Sequence, residues 1–212
     1  MQVTKLEHAT LRVAEGDDIL IIDPGSFTAP LTDLDGVVAV VITHEHADHV
    51  TDEHLAHIAQ AAPSAPIFAP EGVARTMDGH PIRVVRPGDT VTAGAFTLSF
   101  FGGTHEIIHT SLPIVDNVGV LVNDRLCYPG DSYALPDGAD IDLLAAPTAA
   151  PWLRLGDTMD FILDAKPRRA FGTHDAPLVP GALAMHRARM RWATEQNGGT
   201  FHDLDPGDAL EL

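Results

Sequence analysis

The stretch 43-THEHADH-49 places three histidines and an aspartate between His44 and His49. Imidazole and carboxylate groups are the usual ligands of first-row divalent metal ions, and two neighbouring ions need a cluster of such donors. The stretch directly follows the apolar run 37-VVAVVI-42, which predicts a buried strand. A polar cluster at the end of such a strand indicates a metal site rather than a solvated loop.

The spacing within the stretch predicts which side chains act together. His44 and His46 are two residues apart, so in extended backbone both rings point to the same side and can share one ion. Asp48 and His49 then turn towards a neighbouring position. The stretch therefore predicts ligands for more than one ion.

The composition predicts an acidic, folded chain. Of its 212 residues, 45% are hydrophobic and 20% are charged, which favours a substantial core in a single domain over residues 1–212. The formal net charge of −17 disfavours nucleic acid and anionic membranes as partners, because their binding relies on basic groups. We therefore expect a small-molecule substrate and leave a homo-oligomer open.

The cysteine content and the hydropathy pattern bear on localisation. Cys127 is the only cysteine, so no intramolecular disulfide can form. The first residues lack the basic and apolar regions of a secretory signal, and the apolar runs are too short to cross a bilayer. We expect a cytoplasmic protein in which Cys127 is a small buried hydrophobe.

Short β-branched runs bounded by Gly, Pro and Asp predict strands along the whole chain. These runs cover residues 9–13, 18–23, 37–42, 82–85, 96–101, 118–122, 125–128, 141–146, 169–172, 200–204 and 209–212. Helices are predicted over residues 52–62, 157–165 and 181–196. Strands followed by interleaved helices, twice over, predict an α/β chain with two sheet layers and helices packed outside.

The string THEHADH resembles the HxHxDH signature of the metallo-β-lactamase superfamily. Other landmarks similar to that superfamily occur in the same order, namely 20-LIIDPG-25, 102-GGTHEIIH-109, 129-PGDS-132 and 172-GTHDA-176. The resemblance covers nearly the whole chain. It implies an αββα four-layer sandwich, in which two mixed β-sheets flanked by helices hold the metals between them.

The resemblance implies a binuclear site with two divalent ions, Zn²⁺ being expected and Mn²⁺ or Fe²⁺ being alternatives. The ligands of the first ion would be His44, His46 and His105. Those of the second would be Asp48, His49 and His174, and Asp131 would bridge both ions.

Residues outside the ligand set are expected to line the cleft, to support the ligands or to pack. His109 competes with His105 for one ligand position; we favour His105, because it follows the predicted strand 96-FTLSFFGG-103, and we expect His109 in the substrate cleft. Asp23 is expected to have a structural role or to support the ligands, and Asp175 to support the ligands or to cap the chain. Trp152 belongs either to the core or to the cleft wall. The remaining histidines are expected to pack or lie on the surface (His54, His57, His186) or have no assigned role (His8, His80, His202).

The implied function is metal-dependent hydrolysis, because adjacent divalent ions generate hydroxide from water at neutral pH. Asp48 would orient the hydroxide, and His109 would hydrogen-bond or protonate the leaving group. The chain is most similar in style to the ascorbate-phosphate lactonase and N-acyl-phosphatidylethanolamine phospholipase D branch, which implies a small ester, lactone or phosphodiester substrate. Two alternatives stay open: a mononuclear iron oxygen-dependent enzyme similar to persulfide dioxygenases, and a metal-binding member without turnover.

Overall fold

The computed structural model describes residues 1–212, which form fourteen strands and four helices. In chain order the strands are β1 (Gln2–Lys5), β2 (Leu11–Glu15), β3 (Asp18–Ile22), β4 (Val37–Val41), β5 (Ile67–Ala69), β6 (Ile82–Val84), β7 (Thr90–Ala93), β8 (Phe96–Thr104), β9 (Asp116–Val122), β10 (Leu126–Tyr128), β11 (Leu143–Pro147), β12 (Arg169–Thr173), β13 (Thr200–His202) and β14 (Ala209–Glu211). The helices are α1 (Asp52–Ala61), α2 (Glu71–Thr76), α3 (Leu155–Ala165) and α4 (Pro180–Gln196).

Each sheet has seven strands and is part antiparallel, part parallel. The first runs β14-β1-β2-β3-β4-β5-β6, with antiparallel pairing as far as β3 and parallel pairing from β3 to β6. The second runs β13-β12-β11-β10-β9-β8-β7, with parallel pairing from β10 to β13. Parallel neighbours need crossover connections, and α1, α2, α3 and α4 each lie in one of them.

Three hydrophobic clusters separate four layers. The largest has 22 buried residues and joins the facing sides of the two sheets, for example Leu20 of β3 and Leu98 of β8. A second cluster packs α1 on the first sheet through Leu55, and a third packs α3 and α4 on the second sheet through Phe161 and Met190. Each helix buries its apolar side on the outer face of a sheet. The predicted αββα sandwich with two mixed sheets is confirmed.

Four short elements were missing from the sequence prediction: β1, β5, β7 and α2. β1 and β7 read QVTK and TVTA, and β5 has only three residues, so none carries a strong apolar signal of its own. Neighbouring strands supply the hydrogen bonds that hold them. The bounds of other strands differ from the predicted ones. β2 begins at Leu11 instead of residue 9, and β11 covers Leu143–Pro147 instead of residues 141–146.

Cys127 is fully buried in β10, as predicted. Burial also raises the pKa of its thiol, which disfavours the reactive thiolate. Separately, none of the helices has the length and apolar character that crossing a membrane requires.

The turn at Gly25 supports the loop that carries the 43–49 stretch. A Cβ atom placed on Gly25 would lie 1.9 Å from the carbonyl oxygen of Asp48. Because the obstacle is backbone, we expect Gly25→Ala to lower the free energy of unfolding by about 3 kcal/mol, at the upper end of overpacking penalties. Urea unfolding followed by circular dichroism would measure the loss. Gly79→Ala is the matched control, because no atom lies within 4 Å of a Cβ there. Equal stability of the two variants would show that the loop at Asp48 moves to accommodate the added methyl group.

Candidate metal centre

The predicted site residues lie in loops that follow strands of both sheets. The 43–49 stretch follows β4 and Asp23 follows β3 in the first sheet, while His105, Asp131 and His174 follow β8, β10 and β12 in the second. Parallel strands end at the same edge of a sheet, so segments far apart in sequence converge there. The structure brings all seven predicted metal ligands together at this edge.

The first group of side chains consists of His44, His46 and His105. Their ligand nitrogens lie within 4.8 Å of one another, and Nε2 of His44 is 3.1 Å from Nδ1 of His46. The His105 ring stands edge-on to both other rings, with centroid distances of 4.9 and 4.7 Å. Three imidazoles that converge in this way can supply three nitrogen ligands to one divalent ion.

The second group consists of Asp48, His49, His174 and also His8. Oδ2 of Asp48 lies 3.2 Å from Nε2 of His174 and 3.2 Å from Nε2 of His8. Sequence reasoning gave His8 no role, and the string KLEHAT around it offers no ligand motif. His8 reaches the site only because β1 and β2 pair and turn it towards the end of β12.

Asp131 lies between the two groups. Its Oδ1 is 3.3 Å from Nε2 of His49, and its Oδ2 is 3.4 Å from Nε2 of His105 and 3.3 Å from Nε2 of His174. A bridging ligand has to reach both groups in this way. The indole Nε1–H of Trp152 donates a hydrogen bond to the same Oδ2 at 2.9 Å, so Trp152 contacts the site directly.

Several buried polar atoms in the site have no hydrogen-bond partner. They are Nε2 of His49, His105 and His174, together with Oδ1 of Asp131. Leaving a buried polar atom unsatisfied costs about 1–3 kcal/mol, so such atoms in a native fold call for an explanation. Divalent ions would satisfy all of them, and the mixed imidazole and carboxylate donors suit such ions. The residues present therefore fit the predicted metals.

The turn 129-PGDS-132 holds Asp131 in place. The backbone N–H of Asp131 donates to Oδ1 of Asn117 at 3.0 Å, and the Asn117 side-chain amide donates to the carbonyl of Pro129 at 2.9 Å. Gly130 has a φ of 65°, and a Cβ there would lie 2.5 Å from Oδ1 of Asn117. Only glycine fits this position. Asn117 was not recognised from the sequence, because it lies inside β9 without a motif.

Asp23 is a buried carboxylate that orients His49. Its Oδ2 is 2.7 Å from Nδ1 of His49 and accepts hydrogen bonds from the hydroxyls of Thr43 and Tyr128 at 2.6 and 2.9 Å. The backbone N–H of Thr43 donates to Oδ1 at 2.7 Å. A carboxylate on Nδ1 places the His49 proton there and leaves Nε2 free to bind a metal. This matches the supporting role expected for Asp23.

Backbone carbonyls orient two other imidazoles in the same way. Nδ1 of His105 contacts the carbonyl oxygen of Glu106, and Nδ1 of His174 contacts that of Ala149. A carbonyl can only accept, so each ring in its neutral form carries its proton on Nδ1 and turns the lone pair of Nε2 towards Asp131.

The charges of the site favour cations. Burial raises the pKa of Asp131, but His49 and His174 outweigh this and hold it well below its usual range. Burial lowers the pKa of His174, but Asp131 and Asp48 outweigh that effect and raise it to about 9. Burial, with His49 beside it, lowers the pKa of His44 well below its usual value. Without metal, His174 is therefore protonated at neutral pH.

Asp175 faces away from the ligands. Its Oδ1 accepts a hydrogen bond from the fully buried Lys5 at 3.1 Å, and its Oδ2 lies 3.6 Å from the guanidinium of Arg187. These contacts tie β1 to the chain just after His174. The Asp175 side chain therefore contacts these two basic residues, and neither the expected support of a ligand nor the expected capping role is seen.

His109 lies outside both groups. Its side chain is exposed, and Nδ1 is 2.7 Å from the Ser111 hydroxyl oxygen. It lines a small cleft together with His46 and His105. The structure thus brings His105, and not His109, among the predicted ligands. The other expected packing histidines contact backbone carbonyls: His54, His57 and His186.

The open side of the centre lies at His46 and Asp48, which are half-buried, whereas the other predicted ligands are buried. The chain after His105 borders this opening as part of the small cleft. It exposes three large apolar side chains, those of Ile107, Leu112 and Ile114. Exposed apolar side chains next to a polar centre can contact a bound organic molecule.

Residues 2–174 of the chain match the family described as the beta-lactamase superfamily domain. Protein Rv0786c of Mycobacterium tuberculosis is 33% identical over 215 residues, which cover 99% of each chain. A UPF0173 metal-dependent hydrolase of Brucella anthropi is 30% identical over 173 residues, which cover 74% of this chain and 63% of that relative.

Among solved structures, Igni18, a metallo hydrolase from Ignicoccus hospitalis, has a TM-score of 0.74 at 14% identity. The match covers 100% of this chain and 98% of Igni18, and at this identity it concerns the fold alone. The family match, in contrast, extends over most of the chain and agrees with the resemblance of its motifs. The chain therefore belongs to the beta-lactamase superfamily and has the metallo-β-lactamase fold.

Proposed function

We propose that this chain is a binuclear metal-dependent hydrolase that acts on a small ester, lactone or phosphodiester. The observation that carries the proposal is the position of Asp131 between two groups of imidazole and carboxylate side chains. The metal-dependent hydrolase name of the Brucella relative supports the reaction class. The substrate class rests on the resemblance to the lactonase and phospholipase D branch.

Two divalent ions, most simply Zn²⁺, would supply hydroxide at neutral pH and polarise the carbonyl or phosphoryl oxygen of the substrate. His44, His46 and His105 would hold one ion, and Asp48, His49 and His174 the other, with Asp131 shared. Asp23 and the backbone carbonyls keep the imidazoles oriented for this task.

Asp48 is the carboxylate on the open side of the centre, with 26% of its side chain exposed. We assign it the orientation of the attacking water, because the other carboxylate, Asp131, is buried and bonded to Trp152. The exposed Ile107, Leu112 and Ile114 favour a substrate with an apolar portion.

His109 is assigned to the leaving group, because it lines the cleft beside His46 without joining the ligands. We expect His109→Ala to keep the metal content and to lower turnover by about 10²-fold, the lower range for a general acid. Elemental analysis and steady-state kinetics would measure both quantities. His57→Ala is the control, because His57 is exposed and bonds only the Leu31 carbonyl. Full activity in His109→Ala would remove this role.

The whole proposal is tested by elemental analysis of protein purified without added metal, combined with hydrolysis of bis-p-nitrophenyl phosphate, an aryl ester and a lactone panel. Two equivalents of zinc or manganese, with turnover that disappears in His46→Ala, would support it. One equivalent of iron with oxygen uptake and no hydrolysis would favour the persulfide dioxygenase type instead. Bound metal without any turnover would favour a non-catalytic metal-binding member.

A further inference from the structure

His8 occupies the turn between β1 and β2 in a left-handed backbone conformation, which is uncommon for residues other than glycine. Its φ is 57°, and its side chain is almost completely buried. A left-handed conformation costs a non-glycine residue about 1–3 kcal/mol and persists only where surrounding contacts hold it. The N–H of His174 donates to the His8 carbonyl at 2.9 Å and provides one such contact.

The hydrogen bonds of the ring determine its protonation. The backbone N–H of Ala176 points at Nδ1 of His8 at 3.3 Å, and a backbone N–H can only donate. Nδ1 must therefore carry the lone pair, and the proton of the neutral ring sits on Nε2. Nε2–H then donates to Oδ2 of Asp48 at 3.2 Å. A protonated Nε2 has no lone pair for a metal, so His8 is not itself a ligand in this arrangement.

The ring also packs against the second group from the side. Its centroid lies 4.0 Å from that of His174 and 4.8 Å from that of Phe27. His8 thus contacts two members of the second group, Asp48 and His174, and is not among the first group of His44, His46 and His105.

We propose that His8 is a positioning residue for the second metal ion. It fixes the Asp48 carboxylate by a hydrogen bond and the His174 ring by packing, and so sets the affinity of the second group selectively. This inference rests on the proposed binuclear centre. His8 lies outside the 43–49 stretch and would act on the second ion only through Asp48 and His174.

The test is a metal titration of the metal-free protein with Zn²⁺ or Co²⁺, followed by competition with a chromophoric chelator and by the Co²⁺ absorption spectrum. The main variant is His8→Phe, which keeps an aromatic ring on His174 but cannot donate to Asp48. We expect the first ion to bind as in the natural chain and the second about 10–100-fold more weakly, the usual cost of losing a hydrogen bond to a ligand.

Two further variants separate positioning from folding. In His8→Gln the side-chain amide can donate from about the place of Nε2, so we expect part of the second-site affinity to return. His54→Ala is the matched control, because His54 is also buried and bonds only the carbonyl of Thr28 outside the two groups. It should bind both ions as the natural chain does.

Other results would overturn the inference in distinguishable ways. Unchanged affinity for both ions in His8→Phe, or equal weakening of both, would reject selective positioning while leaving a binuclear centre in place. His8→Gln as weak as His8→Phe would reject the hydrogen bond as the cause. A natural chain that binds a single ion would overturn the proposed binuclear centre and this inference together.

Discussion

Replacing Asp131 with alanine is expected to remove both metal ions and activity together. Asp131 is the carboxylate that lies within 3.4 Å of His49, His105 and His174, so both groups would lose their proposed shared ligand at once. In the proposed mechanism the ions would contribute several kcal/mol of transition-state stabilisation, so their loss would lower kcat/KM by about 10³-fold or more. Elemental analysis and hydrolysis assays on the same preparation would show the joint loss.

The contrast with His46→Ala makes this prediction specific. His46 belongs to the first group alone, so its loss should weaken one ion more than the other. Asp137→Ala is the control for removal of a carboxylate, because Asp137 is exposed and lies outside both groups. Circular dichroism has to show that Asp131→Ala is folded. If that variant keeps both ions, Asp131 does not connect the two groups.

The residues that could be found from sequence share one property: each lies in the loop that follows a strand. His105, Asp131 and His174 lie at strand ends with short, recognisable strings around them, and the 43–49 stretch follows the most apolar strand of the chain. The end of a strand can be predicted from residues that are close to it in sequence. Strand periodicity and turn residues therefore indicated where polar side chains would meet, and the resemblance supplied their order.

The residues that were missed depend on contacts between distant segments. His8 lies more than 160 residues from His174, yet its carbonyl and ring both contact that residue and its neighbours. Asn117 reaches Asp131 from a neighbouring strand, and the buried Lys5 reaches Asp175 across the sandwich. Such partners have no periodic signal in a single sequence. The short strands β1 and β7 were missed for a different reason, because their sequences QVTK and TVTA carry little apolar signal.

Trp152 was found in part: the sequence singled it out but did not indicate which residue it contacts. Its string 147-PTAAPW-152 indicated a wall or a core position but gave no partner. The structure shows that the indole N–H donates to Asp131 and that the ring stands edge-on to Tyr133, with centroids 5.2 Å apart. Tyr133 in turn contacts Phe161 of α3, so the surroundings of the indole come from segments that the string itself does not contain.

Removal of metal is expected to lower the stability of the fold markedly. Chelation leaves the Nε2 atoms of His49, His105 and His174 buried without the ion that would bind them. An ion that binds only the folded state stabilises it by about 4 kcal/mol at a free concentration 1,000 times its Kd. For a chain of this length this corresponds to a rise in Tm of about 8–16 °C. Differential scanning calorimetry of chelated and zinc-reloaded protein would measure it.

Acidity should act against metal binding in the same experiment. Burial lowers the pKa of His174, but Asp131 and Asp48 outweigh it and raise the pKa to about 9, so metal-free protein carries a proton there at pH 7. Metal binding must displace that proton, because an ion needs the unprotonated nitrogen. Apparent metal affinity should therefore increase as pH rises towards 9 and decrease on acidification, and the metal-dependent gain in Tm should change in the same direction.

Asp131→Ala, titrated in parallel, should show little gain in Tm at any pH. A gain of the natural chain that is equally large at pH 6 and pH 9 would contradict proton displacement, and no gain at all would contradict metal binding by these histidines.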